Sequence, residues 1–259
     1  MARVFNFNPG PSTLPLDVLK IVQDELPDYR GTGMSIIESS HRSAEYEDVN
    51  NSAMALAREL FELDDSYHVL FLTGGASTQF AMVPLNFLSE GRVGAYIDTG
   101  SWAAKAIKEA RIVGTAHIAA SSKDEEYRRI PDSSEISIPD NAAYLHITSN
   151  NTIKGTQYHE FPDTGDVPLI CDMSSDIASR MIDYGRFSLI YAGAQKNLGP
   201  AGVTLVLIRD DLLARCKDGL PTMLCYKTAA EQKSLYNTPP VFGVYIMKLV
   251  LEWIKNQGG

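Results

Sequence analysis

Seven short runs of apolar, β-branched and aromatic residues recur along the chain. They lie at 68–73 (HVLFLT), 93–98 (VGAYID), 114–120 (GTAHIAA), 142–148 (AAYLHIT), 167–172 (VPLICD), 188–194 (SLIYAGA) and 202–208 (GVTLVLI). Several are apolar almost throughout instead of alternating, the pattern of strands covered on both faces. Helical periodicity fills the gaps at 77–88 and 101–111. An earlier helix is predicted over 43–62, where Ser43 is a candidate N-cap and Tyr46, Val49, Ala53, Leu56 and Leu60 fall on one face. DLLARC, after 210, starts another helix, and the tail PPVFGVYIMKLVLEWIKNQGG reads as a helix opened by proline and closed by glycine. Strands alternating with helices predict βαβ units and a mostly parallel sheet. No composition break divides the chain, so we expect one α/β domain over 16–259 preceded by an N-terminal arm, 1–15.

Composition adds limits. The 259 residues carry a formal net charge of -9, which argues against a nucleic-acid binder, since that affinity is built from Lys and Arg. A small anionic substrate needs only a few local cations and stays open. Cys171, Cys216 and Cys225 are far apart and odd in number, predicting neither a disulfide framework nor a zinc site and pointing to a reducing, cytoplasmic compartment. No segment approaches the roughly 20 apolar residues of a membrane span. His41, His68, His117, His146 and His159 show no metal-ligand spacing, so no metal is expected.

In sheets of this kind ligands sit beyond the C-terminal ends of the strands. The segments there are GGAST (74–78), TGSW (99–102), SNNT (149–152), DMSSD (172–176) and QKN (195–197). The first combines a glycine pair, small hydroxyl residues and a helix start, which suits either a phosphate or a plain strand-to-helix turn. Asp172 ends a buried strand; a carboxylate there can pair with a cationic heterocycle or cap the next segment. Trp102 can stack on a flat ligand or fill core. Lys196 decides between these readings. It lies inside AGAQKNLGPAG, a cramped turn after a buried strand, where an ammonium is costly and a neutral, nucleophilic amine is favoured. An amine, a carboxylate one strand away, a phosphate cradle and an aromatic plate together describe a pyridoxal 5'-phosphate site.

FNFNPGPSTLP, SHRSAEYEDV, GGASTQFAMVPLNFL, DTGSWAAKAIKEA, CDMSSDIASR, YAGAQKNLGPAGVTLVLIRDDLL and the stretch from LYNTPP to the end carry a further signal. Through them the chain resembles the phosphoserine aminotransferases, fold-type I pyridoxal-phosphate enzymes of serine biosynthesis. The resemblance implies a mostly parallel, mixed seven-stranded sheet flanked by helices. It implies that Lys196 is the Schiff-base lysine and that Asp172 pairs with the pyridine nitrogen. Trp102 would stack on the ring, Ala76 and Ser77 would hold the phosphate, and Thr152 and Gln195 would contact the 3-hydroxyl side or the phosphate. Asn237 and Thr238 would reach the cofactor phosphate of a neighbouring subunit, making the site a property of a homodimer. His41 and Arg42 match the substrate-binding pair. The implied reaction interconverts O-phospho-L-serine plus 2-oxoglutarate with 3-phosphohydroxypyruvate plus L-glutamate.

Two departures stand out. Some members of that family carry an arginine in the glycine loop, where this chain reads GGAST. The chain also stops at EWIKNQGG, where the family continues into a small C-terminal domain, so the expectation is the large domain alone. The rival expectations are a domain that binds the cofactor without turnover, and a different fold-type I enzyme. A cysteine desulfurase would need a nucleophilic cysteine on a mobile loop, a setting that neither Cys216 nor Cys225 provides.

Overall fold

The computed structural model describes residues 3–259. Seven strands build its main sheet: β1 (Tyr67–Leu72), β2 (Val93–Asp98), β3 (Thr115–Ser121), β4 (Ala142–Thr148), β7 (Leu169–Asp172), β8 (Leu189–Gly193) and β9 (Thr204–Arg209). Between β4 and β7 lies a separate two-stranded hairpin, β5 (Asn150–Asn151) and β6 (Thr156–Gln157). The main sheet runs in the order β1-β9-β8-β7-β4-β2-β3. β9 is antiparallel to both β8 and β1, and every other pairing is parallel. All seven predicted strands are present: β2 and β4 match at both ends, and the ends of the others lie within two residues of those expected. Pro168 explains one displacement: it has no N–H to give the ladder, so β7 begins at Leu169.

Helices cover both faces. α3 (Gly75–Phe87) and α4 (Ser101–Val113) pack together on one side, over a core that includes Tyr96, Tyr144, Ile170, Tyr191 and Val206. α1 (Leu16–Glu25), α2 (Ala44–Leu60) and α7 (Val241–Asn256) cover the other, over Leu145, Ile147, Cys171, Ile190 and Leu205. These two residue sets alternate along each strand, so both faces are buried, as the unbroken apolar runs require. The Ser43 hydroxyl accepts from the Tyr46 N–H, and Tyr46, Val49 and Ala53 are buried beneath α2. The helix expected from DLLARC is a single turn, α5 (Asp210–Leu213), that stops before Ala214, and a further short helix, α6 (Tyr226–Glu231), precedes the YNTPP segment.

The parallel strands β2, β4, β7 and β8 all point their C-terminal ends to one edge of the sheet. The chain turns there into the helix starts and loops that carry the chemistry. Among the described residues no helix is long and apolar enough to cross a membrane. Cys171, Cys216 and Cys225 are all free thiols.

Candidate active site

The turn from β1 into α3 is made by Gly74, whose φ of 89° lies in the left-handed region. A Cβ there would meet Thr78 Oγ1 at 1.8 Å, so only glycine fits. That tight entry leaves the first N–H groups of α3 without intrahelical partners, and no acidic side chain occupies the first turn. Ala76 and Ser77 sit in that turn and line a cavity of about 260 Å³ with Gly10, Gly74, Gly75, Trp102, Thr148, Asn150, Asp172, Ser174, Ser175, Gln195 and Lys196. The positive end of the α3 dipole faces this space, a ready seat for an anion.

Lys196 enters from the turn after β8. Ser12 of the N-terminal arm grips that turn, its N–H donating to the Gln195 carbonyl at 2.9 Å and its hydroxyl to the Lys196 carbonyl. Gly10 lies so close that a Cβ would come within 3.0 Å of Lys196 Cγ. On the β8 side, a Cβ on Gly193 would meet Gln195 Oε1 at 2.6 Å, so the small residues of GAQKN let this turn close. Lys196 Nζ donates to Thr152 Oγ1 at 2.5 Å and lies 5.6 Å from the centre of the Trp102 indole. Burial lowers its pKa from the ordinary lysine value, with Asp172 and Asp176 opposing that shift. A half-buried amine of this kind is neutral, and nucleophilic, more often than an exposed lysine.

Asp172 is the last residue of β7 and only 4% exposed. Its Oδ1 accepts from the Ser174 N–H at 2.9 Å, and among the described residues no cation lies within ion-pairing distance of it. Burial raises its pKa, against the pull of Ser174 and Lys196. A buried carboxylate facing a cavity without a paired cation is costly by itself. The pyridinium nitrogen of pyridoxal phosphate would supply that missing partner. Two further buried groups, the Thr148 hydroxyl and the Trp102 indole N–H, belong to residues lining the same space and have no hydrogen-bond partner among the described residues. The residues present therefore fit the cofactor: a carboxylate for the ring nitrogen, an amine, an aromatic plate and a helix N-terminus for the phosphate.

The structure thus gathers Ala76, Ser77, Trp102, Asp172, Gln195 and Lys196 around one cavity, with Thr152 bonded to the amine. His41, Arg42, Asn237 and Thr238 do not line it. His41 Nδ1 and Thr238 Oγ1 lie 3.3 Å apart in a second cluster, and Asn237 lines an apolar pocket with Tyr236 and Thr222. The exposed Arg42 guanidinium has no carboxylate partner among the described residues. Thr148, Asn150, Ser174 and Ser175 join the site without having been singled out, although three of them fall in the SNNT and DMSSD segments. Gly10, inside FNFNPGPSTLP, was not singled out, because nothing in the sequence says where an arm folds back. Lys105 is another addition, with Nζ 4.2 Å from the centre of the Trp102 indole one helical turn away.

With this geometry in hand, similarity to known proteins is informative. The profile of the aminotransferase class-V family matches residues 4–259. A curated phosphoserine aminotransferase of Halalkalibacterium halodurans is 57% identical over 259 residues, covering 100% of this chain and 72% of its own length. The solved phosphoserine aminotransferase from Bacillus circulans subsp. alkalophilus superposes with a TM-score of 0.97 at 57% identity, over 99% of this chain and 71% of that one. A second phosphoserine aminotransferase structure, concerned with radiation damage of its Schiff base, superposes with a TM-score of 0.97 at 54% identity, over 100% of this chain and 72% of that one.

Proposed function

The chain belongs to the class-V aminotransferases, pyridoxal-phosphate-dependent enzymes, and from that premise we propose that it is a phosphoserine:2-oxoglutarate aminotransferase. The observation that carries the reading is the convergence of Lys196, Asp172, Trp102 and the α3 N-terminus on one cavity. The 57% identity to a phosphoserine aminotransferase narrows the substrate class. We assign residues 16–259 to the cofactor-binding domain and 3–15 to the arm that braces the Lys196 turn. Cytoplasmic serine biosynthesis is the setting this reaction implies.

When bound, pyridoxal phosphate supplies a conjugated cationic ring that takes up the electron pair left at the substrate α-carbon. The protein's part is holding, orienting and proton transfer. The first-turn N–H groups of α3, with Ala76 and Ser77, bind the phosphate. Asp172 keeps the ring nitrogen protonated, and Trp102 covers the ring and excludes water from it. Lys196 Nζ holds the cofactor and, as a free amine, moves the proton at the substrate α-carbon. Thr152 Oγ1 and Gln195 fix the amine and the 3-hydroxyl side.

Arg42 and His41 then bind the substrate's anionic end, with Arg42 suited to grip phosphate or carboxylate through two parallel bonds. His41 meets Thr238 outside the Lys196 cavity of the same chain, and Arg42 does not line that cavity either; this favours a homodimer in which each site combines two subunits. Mixing Lys196→Ala with Arg42→Ala subunits, each inactive alone, should restore about one quarter of the sites through random pairing in a twofold dimer. Recovery of turnover after co-refolding checks this; no recovery would place both residues in one subunit's site or leave the chain monomeric.

The reading as a whole is tested by absorbance. Protein loaded with pyridoxal phosphate should show a visible band that bleaches when O-phospho-L-serine is added and returns with 2-oxoglutarate. A band that ignores phosphoserine would mean a domain that binds the cofactor without turnover, and bleaching by unphosphorylated serine to the same extent would remove the substrate assignment.

A further inference from the structure

The hydroxyl that meets Lys196 is carried on a fragile element. Thr152 follows β5 at the tip of the β5–β6 hairpin, whose strands contribute two residues each. An isolated two-stranded ribbon is marginal in water even at greater length, so something else must hold this one. Its tip is closed by the N–H groups of Lys154 and Gly155, which donate to the Asn151 carbonyl at 3.1 and 2.7 Å.

Asp176 supplies the hold from outside. It lies in the turn after β7 and is only 9% exposed. Its Oδ2 accepts from Gln157 Nε2, in the last residue of β6, at 2.9 Å. Its Oδ1 accepts from the Ser149 hydroxyl, one residue before β5. A single buried carboxylate is therefore bonded to both ends of the hairpin. Ser149 also ties that end to the Asp172 strand, donating its N–H to the Asp172 carbonyl at 3.0 Å. The turn carrying Asp176 is further pinned to the Lys196 turn through Asn197 Nδ2, which donates to the Ile177 carbonyl at 2.5 Å.

We infer that Asp176 is a positioning residue of the amino-transfer site: it clamps the β5–β6 hairpin so that Thr152 Oγ1 is held against Lys196 Nζ. Two hydrogen bonds to one carboxylate, from Gln157 in β6 and from Ser149 just before β5, fix both the height and the tilt of the hairpin tip. Loss of the clamp lets Thr152 swing away, and displacements near 1 Å at a reacting group can cost on the order of 100-fold in rate. The charge of Asp176 is secondary. Lys196 is also faced by Asp172, by Thr152 and by the Trp102 ring that Lys105 backs, and Asp172 is the larger of the two electrostatic influences on the amine.

The inference rests on the reading of the cavity as a transaminase site, and the test separates the two. Cofactor affinity is read from quenching of tryptophan fluorescence, and kcat and KM from phosphoserine turnover, for Asp176→Ala, Asp176→Asn, Thr152→Val and Asp176→Ala/Thr152→Val. Asp176→Ala should lower kcat by about tenfold or more and weaken the cofactor, with KM for phosphoserine moving less than about twofold. Asparagine can still accept from Ser149 and can donate to a flipped Gln157 amide, so Asp176→Asn should recover most of that loss. On the Thr152→Val background, Asp176→Ala should add almost nothing, because its effect runs through the Thr152 hydroxyl. Should Asp176→Ala fail to fold, Gln157→Ala frees one end of the hairpin and carries the same expectations in weaker form. Full additivity with Thr152→Val, or an Asp176→Asn as impaired as Asp176→Ala, overturns the clamp. Lys196→Ala serves as the control. If it turns over normally, the site reading itself is wrong; if it is dead while Asp176→Ala and Gln157→Ala match the parent, only the clamp is lost.

Discussion

Lys196→Ala is expected to lower amino transfer by at least about 10³-fold, the upper part of the range for a positioned proton-transfer group, and to abolish the visible band of bound cofactor. The residue combines two tasks that no neighbour can take over. It is the amine that lines the cavity, and its surroundings hold it ready: burial favours the neutral form, while Thr152 Oγ1 fixes its direction. Another lysine, Lys105, stands over the Trp102 indole on the exposed side of α4 and does not line the cavity. Added small amines should restore part of the proton transfer but not the covalent hold, which a stopped-flow absorbance trace distinguishes from turnover. Normal turnover by the alanine variant would remove Lys196 from the mechanism.

The second large effect concerns Asp172, where function and stability should move in opposite directions. Asparagine keeps an acceptor for the Ser174 N–H but removes the charge that matches a protonated ring nitrogen. Loss of such a preorganised electrostatic group costs about 10² to 10³ in kcat. In the cofactor-free protein the same change should stabilise. Burial raises the Asp172 pKa in the folded state, so over the window between the unfolded and folded values the native protein binds more protons than the unfolded chain. Stability conferred by this group therefore falls as pH rises through that window, and the penalty is fully present above it. Asp172→Asn removes the penalty, and the apo protein should gain about 1 kcal/mol near neutral pH. That gain should vanish at acid pH, where the parent carboxyl is already protonated. Denaturant melts of both proteins at pH 7 and pH 4 check the sign; a variant less stable than the parent at neutral pH would mean the carboxylate already has a compensating partner.

These two residues also mark how far the sequence could be read. Lys196 and Asp172 stood out because each is a charged group at the end of an apolar run, and burying a charge without a reason is expensive. The seven strands were legible for the same reason: a sheet covered on both faces needs strands that are apolar throughout, and few other structures do. Gly74 could be placed at a turn because the glycine pair precedes a helical period, and the 1.8 Å approach to Thr78 supplies the steric cause.

The β5–β6 hairpin left no such trace. Two residues per strand are too few for any hydrophobic period, and the carboxylate that bonds its far end, Asp176, arrives from 19 residues beyond Gln157. Gly10 and Ser12 reach the Lys196 turn from 184 residues away in the chain, as measured by the Ser12–Lys196 bond. The separation of the His41–Thr238 cluster from the Lys196 cavity was equally invisible, since a motif names a residue's chemistry but not its distance from another. The sequence by itself determined the strands, the turns after them and the kinds of group they carry, because local apolar periodicity and the cost of buried charge act over a few residues. The tertiary structure alone decided which of those groups meet, because contacts between distant segments are fixed by packing and hydrogen bonds that no local pattern encodes.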